Sequence, residues 1–134
     1  MELKWNDMCF GCGKKNDCGL KLNVKGENGK AWAEVVFKKH HQGWENIVHG
    51  GVITAAIDEV MAYALGSLGI ISGVTAELKI RFKKPVIVGE SYIAKAEVIE
   101  SKGRKHTIHS WIEKGGKVFA EGIGIYVTVK EVRI

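Results

Sequence analysis

The chain has 134 residues, of which 46% are hydrophobic and 26% are charged, and its formal net charge is +5. This length and composition fit one globular domain, residues 1–134, and exclude two separate hydrophobic cores. The basic excess suggests an anionic partner, but the basic residues are scattered along strand-like segments. A phosphorylated small molecule is therefore favoured over nucleic acid, although a solvated basic surface accounts equally well for most single lysines.

The N-terminal residues are polar and include Asp7 and three cysteines, so they lack the apolar run of a signal peptide. We expect a cytoplasmic protein. The apolar run 52–71 approaches the length of a membrane span, but Asp58, Glu59 and several glycines interrupt it. No contact with a membrane is expected.

A Cys/Gly-rich cap segment, residues 1–19, contains Cys9, Cys12 and Cys18. A structural zinc site needs four sulfur or nitrogen ligands, so these three thiols would need His40 or His41 as well. The composition favours a glycine-rich cap in which the small thiols pack as hydrophobic groups. The sequence therefore predicts no metal and no cofactor.

Two segments after the cap, 20–24 and 31–37, alternate between apolar and polar residues. Asn28-Gly29 lies between them, and this dipeptide between alternating runs is a strong hairpin signal. These segments are predicted to be the first two strands. The polar stretch 38–45 is predicted to be a loop that leads into a helix.

Residues 52–65 are helix formers or medium-sized apolar residues on every face of a 3.6-residue turn, which is typical of a helix enclosed by protein. Burying an unpaired carboxylate costs about several kcal/mol, so Asp58 and Glu59 need a partner or a function. They lie about 100° apart around the helix, so one can face the interior while the other reaches its edge.

The helix is preceded by His49-Gly50-Gly51. Glycines allow close approach of a ligand to the backbone, and the free N–H groups of a first helical turn can bind an oxyanion or a polarised carbonyl oxygen. The pattern combines backbone donors, an imidazole at the entrance and an acid about two and a half turns further on. No Gly-x-Ser-x-Gly or Walker motif is present, which disfavours serine-hydrolase and nucleotide chemistry.

Four further strands are predicted at 74–83, 92–99, 105–113 and 118–129, separated by Pro85 and by glycine-containing turns. The first of them alternates strictly, with one face packed and the other facing water or a partner. One helix can be buried all round only if a strongly curved antiparallel sheet wraps it. The predicted class is therefore α+β, with a curved antiparallel sheet around one long central helix.

Several of these residues carry a family resemblance. They are the run 48–52, Val-His-Gly-Gly-Val; Asp58, nine positions after His49; the strand 74–82, Val-Thr-Ala-Glu-Leu-Lys-Ile-Arg-Phe; Pro85; and Gly89-Glu90. The N-terminal Cys-Phe-Gly-Cys-Gly followed by Gly19-Leu20 is also similar to a segment of many members. Over nearly the whole chain the sequence resembles the hotdog-fold acyl-CoA thioesterases, in particular the phenylacetate-pathway (PaaI-like) branch.

This resemblance implies hydrolysis of acyl-CoA and a homodimer, or a dimer of dimers, with active sites at the subunit interface. The Gly50 N–H would polarise the thioester carbonyl and His49 would help to place it. Asp58 of the facing subunit would be the general base or the nucleophile, and Thr75 would orient the water or the acid. Many relatives have an amide residue six positions before the histidine, where this chain has Gly43; Asn46 or Gln42 would have to replace it.

Substrate-binding roles are expected for Gly51, Glu59, Lys83, Lys84 and Arg104. The alternative role of Glu59 is a salt bridge at the edge of the helix. The alternative for the three basic residues is that they are simply solvated surface side chains. Two other functions remain open from the sequence. One is a hotdog protein that binds or senses acyl-CoA without hydrolysing it. The other is a zinc-stabilised module that binds RNA or DNA, although no nucleic-acid partner is expected.

Overall fold

The computed structural model describes residues 3–129, which form one antiparallel sheet of six strands and one long helix. The elements are β1 (Lys25–Glu27), β2 (Lys30–Val36), a 3₁₀ turn (Lys39–His41), α1 (Gly50–Gly66), β3 (Gly73–Phe82), β4 (Ser91–Lys102), β5 (Lys105–Lys114) and β6 (Lys117–Thr128). The strand order is β1-β2-β4-β5-β6-β3. The predicted α+β class, with one helix against a curved antiparallel sheet, is confirmed.

Helix α1 packs against one face of the sheet, and the two contribute most of the hydrophobic core. The buried helix residues are Ile53, Ala56, Ile57, Val60, Met61, Ala64 and Leu65. The facing strands present small side chains, including Ala31, Ala33, Ala94, Ala96 and Ala120. Because small residues leave room for the helix backbone, the sheet can curve around α1 at short range.

The prediction that α1 is buried on every face was wrong for the described chain. Ala62 and Tyr63 are exposed, and Asp58 and Glu59 are half-buried. The apolar residues on this side are mostly alanine and glycine, and these residues do not by themselves distinguish a core face from an outer face. The part of α1 that carries the two acids, which lie about 100° apart around the helix, is therefore partly accessible in the described part of a single chain.

The first predicted strand, 20–24, was also wrong, although the predicted Asn28-Gly29 turn is present between β1 and β2. The segment instead pairs with the cap: the Leu20 N–H donates to Phe10 O (2.8 Å) and the Leu22 N–H donates to Gly11 O (2.9 Å). Backbone groups that are paired with the cap cannot join the sheet. The strand begins only at Lys25, after this segment ends.

Strand β3 lies at an edge of the sheet and pairs on one side with β6. Its register shifts between Thr75 and Glu77, and this bulge breaks the strict alternation predicted for the segment. As a result Ala76 is exposed, although the sequence pattern placed it on the packed face. The other three late strands lie within three residues of their predicted bounds.

No helix within residues 3–129 combines the length and the hydropathy needed to cross a bilayer.

Candidate active site

The N-terminus of α1 is capped by the residue that precedes it. His49 Nδ1 accepts a hydrogen bond from the Gly51 N–H (2.9 Å), and His49 O accepts from the N–H groups of Val52 (2.9 Å) and Ile53 (3.1 Å). Because Nδ1 is an acceptor, the neutral imidazole carries its proton on Nε2. The Gly50 N–H has no acceptor among the described residues, so the free donors here are Gly50 N–H and His49 Nε2–H.

A groove of about 490 Å³ opens beside this helix end. The residues that line it are Trp44, Ile47, Val48, Gly50, Ile53, Phe82, Lys83, Lys84, Pro85 and Val86. Its apolar walls include Trp44, which is 83% exposed, and Phe82, which is 55% exposed. The groove therefore brings Gly50 together with Lys83 and Lys84, which the sequence had placed in a substrate-binding role.

The two lysines differ in their surroundings. Lys83 Nζ forms an ion pair with Glu121 Oε1 (2.9 Å), whereas Lys84 Nζ lies 5.9 Å from the centre of the Phe119 ring. An ammonium group above an aromatic face keeps its N–H donors available for an anion. Lys84 is therefore the better placed of the two to bind a phosphate at the rim of the groove.

Asp58 lies in the middle of α1 and is held by two hydroxyl groups. Thr75 Oγ1 donates to Asp58 Oδ1 (2.8 Å), and the Tyr126 hydroxyl contacts both the same oxygen and the backbone Asp58 O. The other carboxylate oxygen, Oδ2, has no partner among the described residues. Asp58 is thus held in orientation through one oxygen, and its second oxygen is left open.

Tyr126 is a site residue that the sequence did not indicate. It lies on β6 directly opposite Thr75 of β3, and it is only 1% exposed. Burial, and then the nearby Asp58 carboxylate, raise the pKa of the Tyr126 phenol, so the hydroxyl stays protonated as a donor. A buried tyrosine needs a partner for its hydroxyl, but its partner depends on strand register, which the sequence does not show.

Two predicted site residues lie close to His49 without contacting Asp58. Asn46 is exposed and has a φ of 62°, and its backbone N–H donates to Gln42 Oε1 (2.9 Å). The Gln42 amide is thus used within the loop. A Cβ added at Gly43 would lie 3.3 Å from His49 Cα, so this position is next to the histidine.

Arg104 is not brought to the groove. It lies in the turn between β4 and β5, and its Nε donates to Thr128 O (3.0 Å). Thr128 pairs with Gly73, whereas the groove lies at the opposite end of β3, beside Phe82. Nine residues of strand separate the two ends by about 30 Å. Within one chain, Arg104 therefore cannot act together with Lys83 and Lys84.

Glu59 points to the N-terminal cap and not to the groove. Its carboxylate accepts from the Cys9 thiol, with Sγ 3.7 Å from Oε1 and 3.6 Å from Oε2. Burial, followed by the interaction with Glu59, raises the pKa of the Cys12 thiol to about 12. The alternative of a zinc site completed by histidine was wrong for His41, because its Nδ1 accepts from the Lys38 N–H and its Nε2 bonds to Cys18 O.

The comparison with protein families identifies the chain. The model of the thioesterase superfamily matches residues 45–120, which is more than half of the sequence. The chain belongs to the thioesterase superfamily. The matched range includes His49, the N-terminal end of α1 with Gly50, the Asp58 region of the same helix, and all of β3 and β4. The family resemblance predicted from the sequence is confirmed.

Two curated relatives match parts of this thioesterase-superfamily chain. A "Putative esterase" of Saccharolobus solfataricus is 34% identical over 86 residues, which are 63% of this chain and 57% of the relative. The methylthioribose-1-phosphate isomerase of Aquifex aeolicus is 33% identical over 110 residues, 78% of this chain but 24% of the relative. The matched part of the chain thus spans 24% to 57% of the length of these proteins.

Solved structures show the same fold. A thioesterase superfamily protein has a TM-score of 0.78 at 27% identity, covering 86% of this chain and 57% of that one. A hypothetical thioesterase with coenzyme A from Streptococcus pneumoniae has 0.77 at 16% identity, covering 84% and 88%. The PaaI protein of the E. coli phenylacetic acid degradation operon has 0.74 at 21%, covering 79% and 82%. The last two structures, at 16% and 21% identity, show similarity of fold alone, and that fold is the hotdog fold.

Proposed function

We propose that this chain hydrolyses acyl-CoA thioesters to a free acid and CoA, in an active site formed between two copies of the chain. The observation that carries the proposal is the arrangement of Asp58, whose Oδ1 is held by Thr75 and Tyr126 while Oδ2 is unpartnered within residues 3–129. A carboxylate that is oriented by fixed donors, with one oxygen left open, can act on water or on a carbonyl carbon.

The helix N-terminus supplies the second half of the site. The Gly50 N–H and His49 Nε2–H would donate to the thioester carbonyl oxygen, which becomes negatively charged as the tetrahedral intermediate forms. Donors that are already oriented before the reaction typically contribute about 3–4 kcal/mol of transition-state stabilisation. The Gly51 N–H is already occupied by His49 Nδ1, so Gly51 serves to hold the imidazole and not to contact the substrate.

Two copies are needed because the two halves are too far apart in one. Eight residues of helix separate Gly50 from Asp58, which corresponds to about 12 Å along the axis. For the reaction to occur, the attacking group must lie within about 3–3.5 Å of the carbonyl carbon. That carbon lies next to Gly50 when its oxygen is bound there. The Asp58 that reacts must therefore come from a second copy, as the family resemblance implies.

A homodimer, or a dimer of dimers, is consistent with the surfaces of the chain. The acid-bearing part of α1 is partly accessible, and β3 has an unpaired edge among the described strands. An unpaired strand edge offers backbone donors and acceptors to another strand. Pairing of β3 with β3 of a second copy would bring the two helices next to each other, with each Asp58 facing the other helix N-terminus.

Asp58 can act in either of two ways. As a base, Oδ2 takes a proton from water while the water oxygen bonds to the carbonyl carbon; the C–S bond then breaks and the thiolate receives the proton. As a nucleophile, Oδ2 bonds to the carbon directly and expels the thiolate, and water then hydrolyses the resulting anhydride. Both routes consume one water and give one acid and one thiol.

CoA is the proposed leaving group because the groove combines apolar walls with cationic groups at its rim. Trp44 and Phe82 offer aromatic surface, and Lys84 offers its ammonium group to a phosphate. The similar fold that was solved with coenzyme A supports the same choice. An acyl-carrier protein, which carries the same phosphopantetheine arm, is the alternative leaving group.

The proposal is tested by a free-thiol release assay over short, medium, long and arylacetyl CoA esters, with wild type beside Asp58→Asn. Asparagine keeps an oxygen that can accept from Thr75 and Tyr126, so the fold should be retained. Turnover should fall by about 10²–10⁴-fold, the usual contribution of a general base. Glu97→Gln, an exposed carboxylate on β4, is the matched control and should leave turnover unchanged.

The results also separate the enzyme from the second function. A wild-type protein that binds acyl-CoA but releases no thiol would be a binding or sensing protein of the same fold. Unchanged turnover in Asp58→Asn would exclude the proposed role of that residue. A protein that neither binds nor hydrolyses any ester of the panel would overturn the proposal.

A further inference from the structure

Three groups that can bind a metal converge where the cap meets α1. The thiols of Cys9 and Cys12 and the carboxylate of Glu59 have ligand atoms that all lie within 4.8 Å of one another. The Cys9 Sγ atom is 3.6 Å from Glu59 Oε2. None of the three has a part in the proposed hydrolysis, and all three are half-buried.

We propose that Cys9, Cys12 and Glu59 form a binding site for one Zn²⁺ ion that ties the N-terminal cap to helix α1. Thiolates select zinc over magnesium and calcium, and a carboxylate is an accepted zinc ligand. Three protein ligands leave a fourth tetrahedral position open for water. On binding, each thiol loses its proton to the solvent and coordinates as a thiolate.

The separations already match those of zinc ligands. With Zn–S about 2.3 Å and Zn–O about 2.0 Å, two ligands on a tetrahedral ion have S···O about 3.5 Å and S···S about 3.8 Å apart. The observed Cys9 Sγ to Glu59 separations are 3.6 and 3.7 Å, depending on the oxygen. The Cys9–Glu59 pair therefore already has the separation of two zinc ligands, and all three ligand atoms lie within 4.8 Å of one another.

The backbone holds the two thiols in place. The Gly13 N–H donates to Cys9 O (2.8 Å), so residues 9–13 form a tight turn that points both cysteine side chains the same way. A Cβ added at Gly11 would lie 2.3 Å from Glu59 Oε2, so a side chain at this position would displace the Glu59 carboxylate. The turn 9–13 therefore packs directly against the Glu59 carboxylate, as is required of a loop that supplies metal ligands next to it.

The surroundings of the carboxylate favour a cation. In the described part of the chain, the Glu59 carboxylate accepts hydrogen bonds from the Cys9 thiol, which is a weak donor. Tyr63 lies one turn further along α1, and both burial and the nearby Cys12 thiol raise the pKa of its phenol, so its hydroxyl stays protonated. A half-buried carboxylate with only weak donors is poorly compensated, and a divalent ion would compensate it fully.

The site has a consequence for the neighbouring residue. Glu59 is adjacent to Asp58 in α1, so an ion at Glu59 would fix the cap against the helix directly beside the proposed catalytic acid. The ion is inferred to hold the cap against α1 and to take no part in hydrolysis, although one of its positions stays open, because Glu59 faces the cap whereas Asp58 faces β3 and β6. Loss of the ion should therefore lower the melting temperature whether or not the chain hydrolyses thioesters.

The test uses the full chain, reduced and freed of metal, and titrates it with Co²⁺ and then with Zn²⁺. Cobalt bound by thiolates shows a sulfur-to-metal charge-transfer band, and zinc should displace it with one equivalent per chain. Cys12→Ser and Glu59→Gln should each weaken binding by at least about tenfold, because each removes a ligand. Cys18→Ser is the matched control, since Cys18 is exposed and outside the cluster.

Thermal melting provides the second measurement. Zinc should raise the melting temperature of wild type and Cys18→Ser, and the rise should disappear in Glu59→Gln. Glu59→Gln nearly preserves side-chain shape, so it keeps the test valid if Cys12→Ser does not fold by circular dichroism. The proposal is overturned if reduced wild type binds neither ion, or if binding is unaffected in Glu59→Gln and Cys12→Ser.

Discussion

Thr75 donates its hydroxyl hydrogen to Asp58 Oδ1 over 2.8 Å, and this contact joins the edge strand β3 to the middle of helix α1. Tyr126, the cross-strand neighbour of Thr75, donates to the same carboxylate. The orientation of the acid therefore depends on the register between β3 and β6. A hydrogen bond to a charged group is typically worth about 1.5–3 kcal/mol, so each donor has a measurable effect.

Thr75→Val should lower kcat by about tenfold or more and leave KM nearly unchanged, because it removes a donor that orients Asp58 without touching the groove. Thr75→Ser keeps the hydroxyl and is the matched control, with kcat expected close to wild type. Steady-state kinetics on the best ester of the panel provide the measurement. Equal losses in Thr75→Ser and Thr75→Val would show that the hydroxyl is not responsible.

Tyr126→Phe should lower both kcat and stability, because Asp58 loses the tyrosine hydroxyl as a donor to its backbone O and to Oδ1. We expect a loss of about 1–3 kcal/mol in the free energy of unfolding, measured by urea denaturation. Since Thr75 and Tyr126 donate to one oxygen, the effects of Thr75→Val and Tyr126→Phe on kcat should not add. Additive effects in the double variant would indicate that the two hydroxyls act independently.

The sequence predicted the elements that depend on local pattern. The apolar run that became α1, the Asn28-Gly29 turn and the alternating late strands each follow from neighbouring residues. Asp58 was recognisable because a carboxylate within an apolar helix requires a reason. The prediction was wrong for segment 20–24, where Leu20 and Leu22 pair with the cap, a partner that periodicity does not reveal.

Contacts between distant segments were not predictable in the same way. Tyr126 reaches Asp58 through strand register, and Glu59 meets Cys9 across 50 positions of sequence. The sequence predicted no metal, and the alternative zinc site that it offered combined the three cysteines with His40 or His41. The third member of the observed cluster is Glu59. It could not be identified from the sequence because packing determines which side of α1 faces the cap.

His41 should make stability depend on pH. It is 3% exposed, its two ring nitrogens are both hydrogen-bonded, and burial lowers the pKa of its imidazole below the usual 6.5. The unfolded chain therefore binds a proton near pH 6.5 that the folded chain binds only at lower pH. The contribution of neutral His41 to the free energy of unfolding is complete above pH 6.5 and is lost as the pH falls below 6.5.

The measurement is the free energy of unfolding at pH 7.5 and at pH 5.5. We expect the free energy of unfolding of wild type to fall between pH 7.5 and pH 5.5. The His41→Gln variant should be less stable than wild type at pH 7.5, but its free energy of unfolding should fall less between the two pH values. His109→Gln changes a partly exposed histidine and serves as the control. An identical pH dependence in wild type and His41→Gln would exclude burial of a neutral His41 as its source.

Gly124 should not tolerate a side chain. A Cβ there would lie 2.5 Å from Met61 Sδ, in the contact between β6 and α1. Gly124→Ala should therefore cost about 1–3 kcal/mol in the free energy of unfolding through overpacking. Gly66→Ala is the matched control: no atom lies within 4 Å of its Cβ, so it should be neutral or stabilising. Equal effects of the two changes would contradict the close packing of β6 on α1.

Mixing two inactive variants tests whether the active site is shared between copies. Asp58→Asn lacks the acid and His49→Ala lacks the imidazole, and each should be inactive as a homodimer. A heterodimer of the two has one site that combines His49 of one copy with Asp58 of the other. Random mixing makes half of the dimers heterodimers with one intact site each, so activity should recover to about a quarter of wild type.

The recovery has a clear control and a clear alternative. Mixing Asp58→Asn with an Asp58→Asn, His49→Ala double variant creates no intact site and should restore nothing. If each chain contained a complete site of its own, the mixture of single variants would also stay inactive, and the distance of about 12 Å between Gly50 and Asp58 would have to be bridged by a movement of the helix. Recovery in the first mixture but not in the second would assign the two halves of the site to different copies.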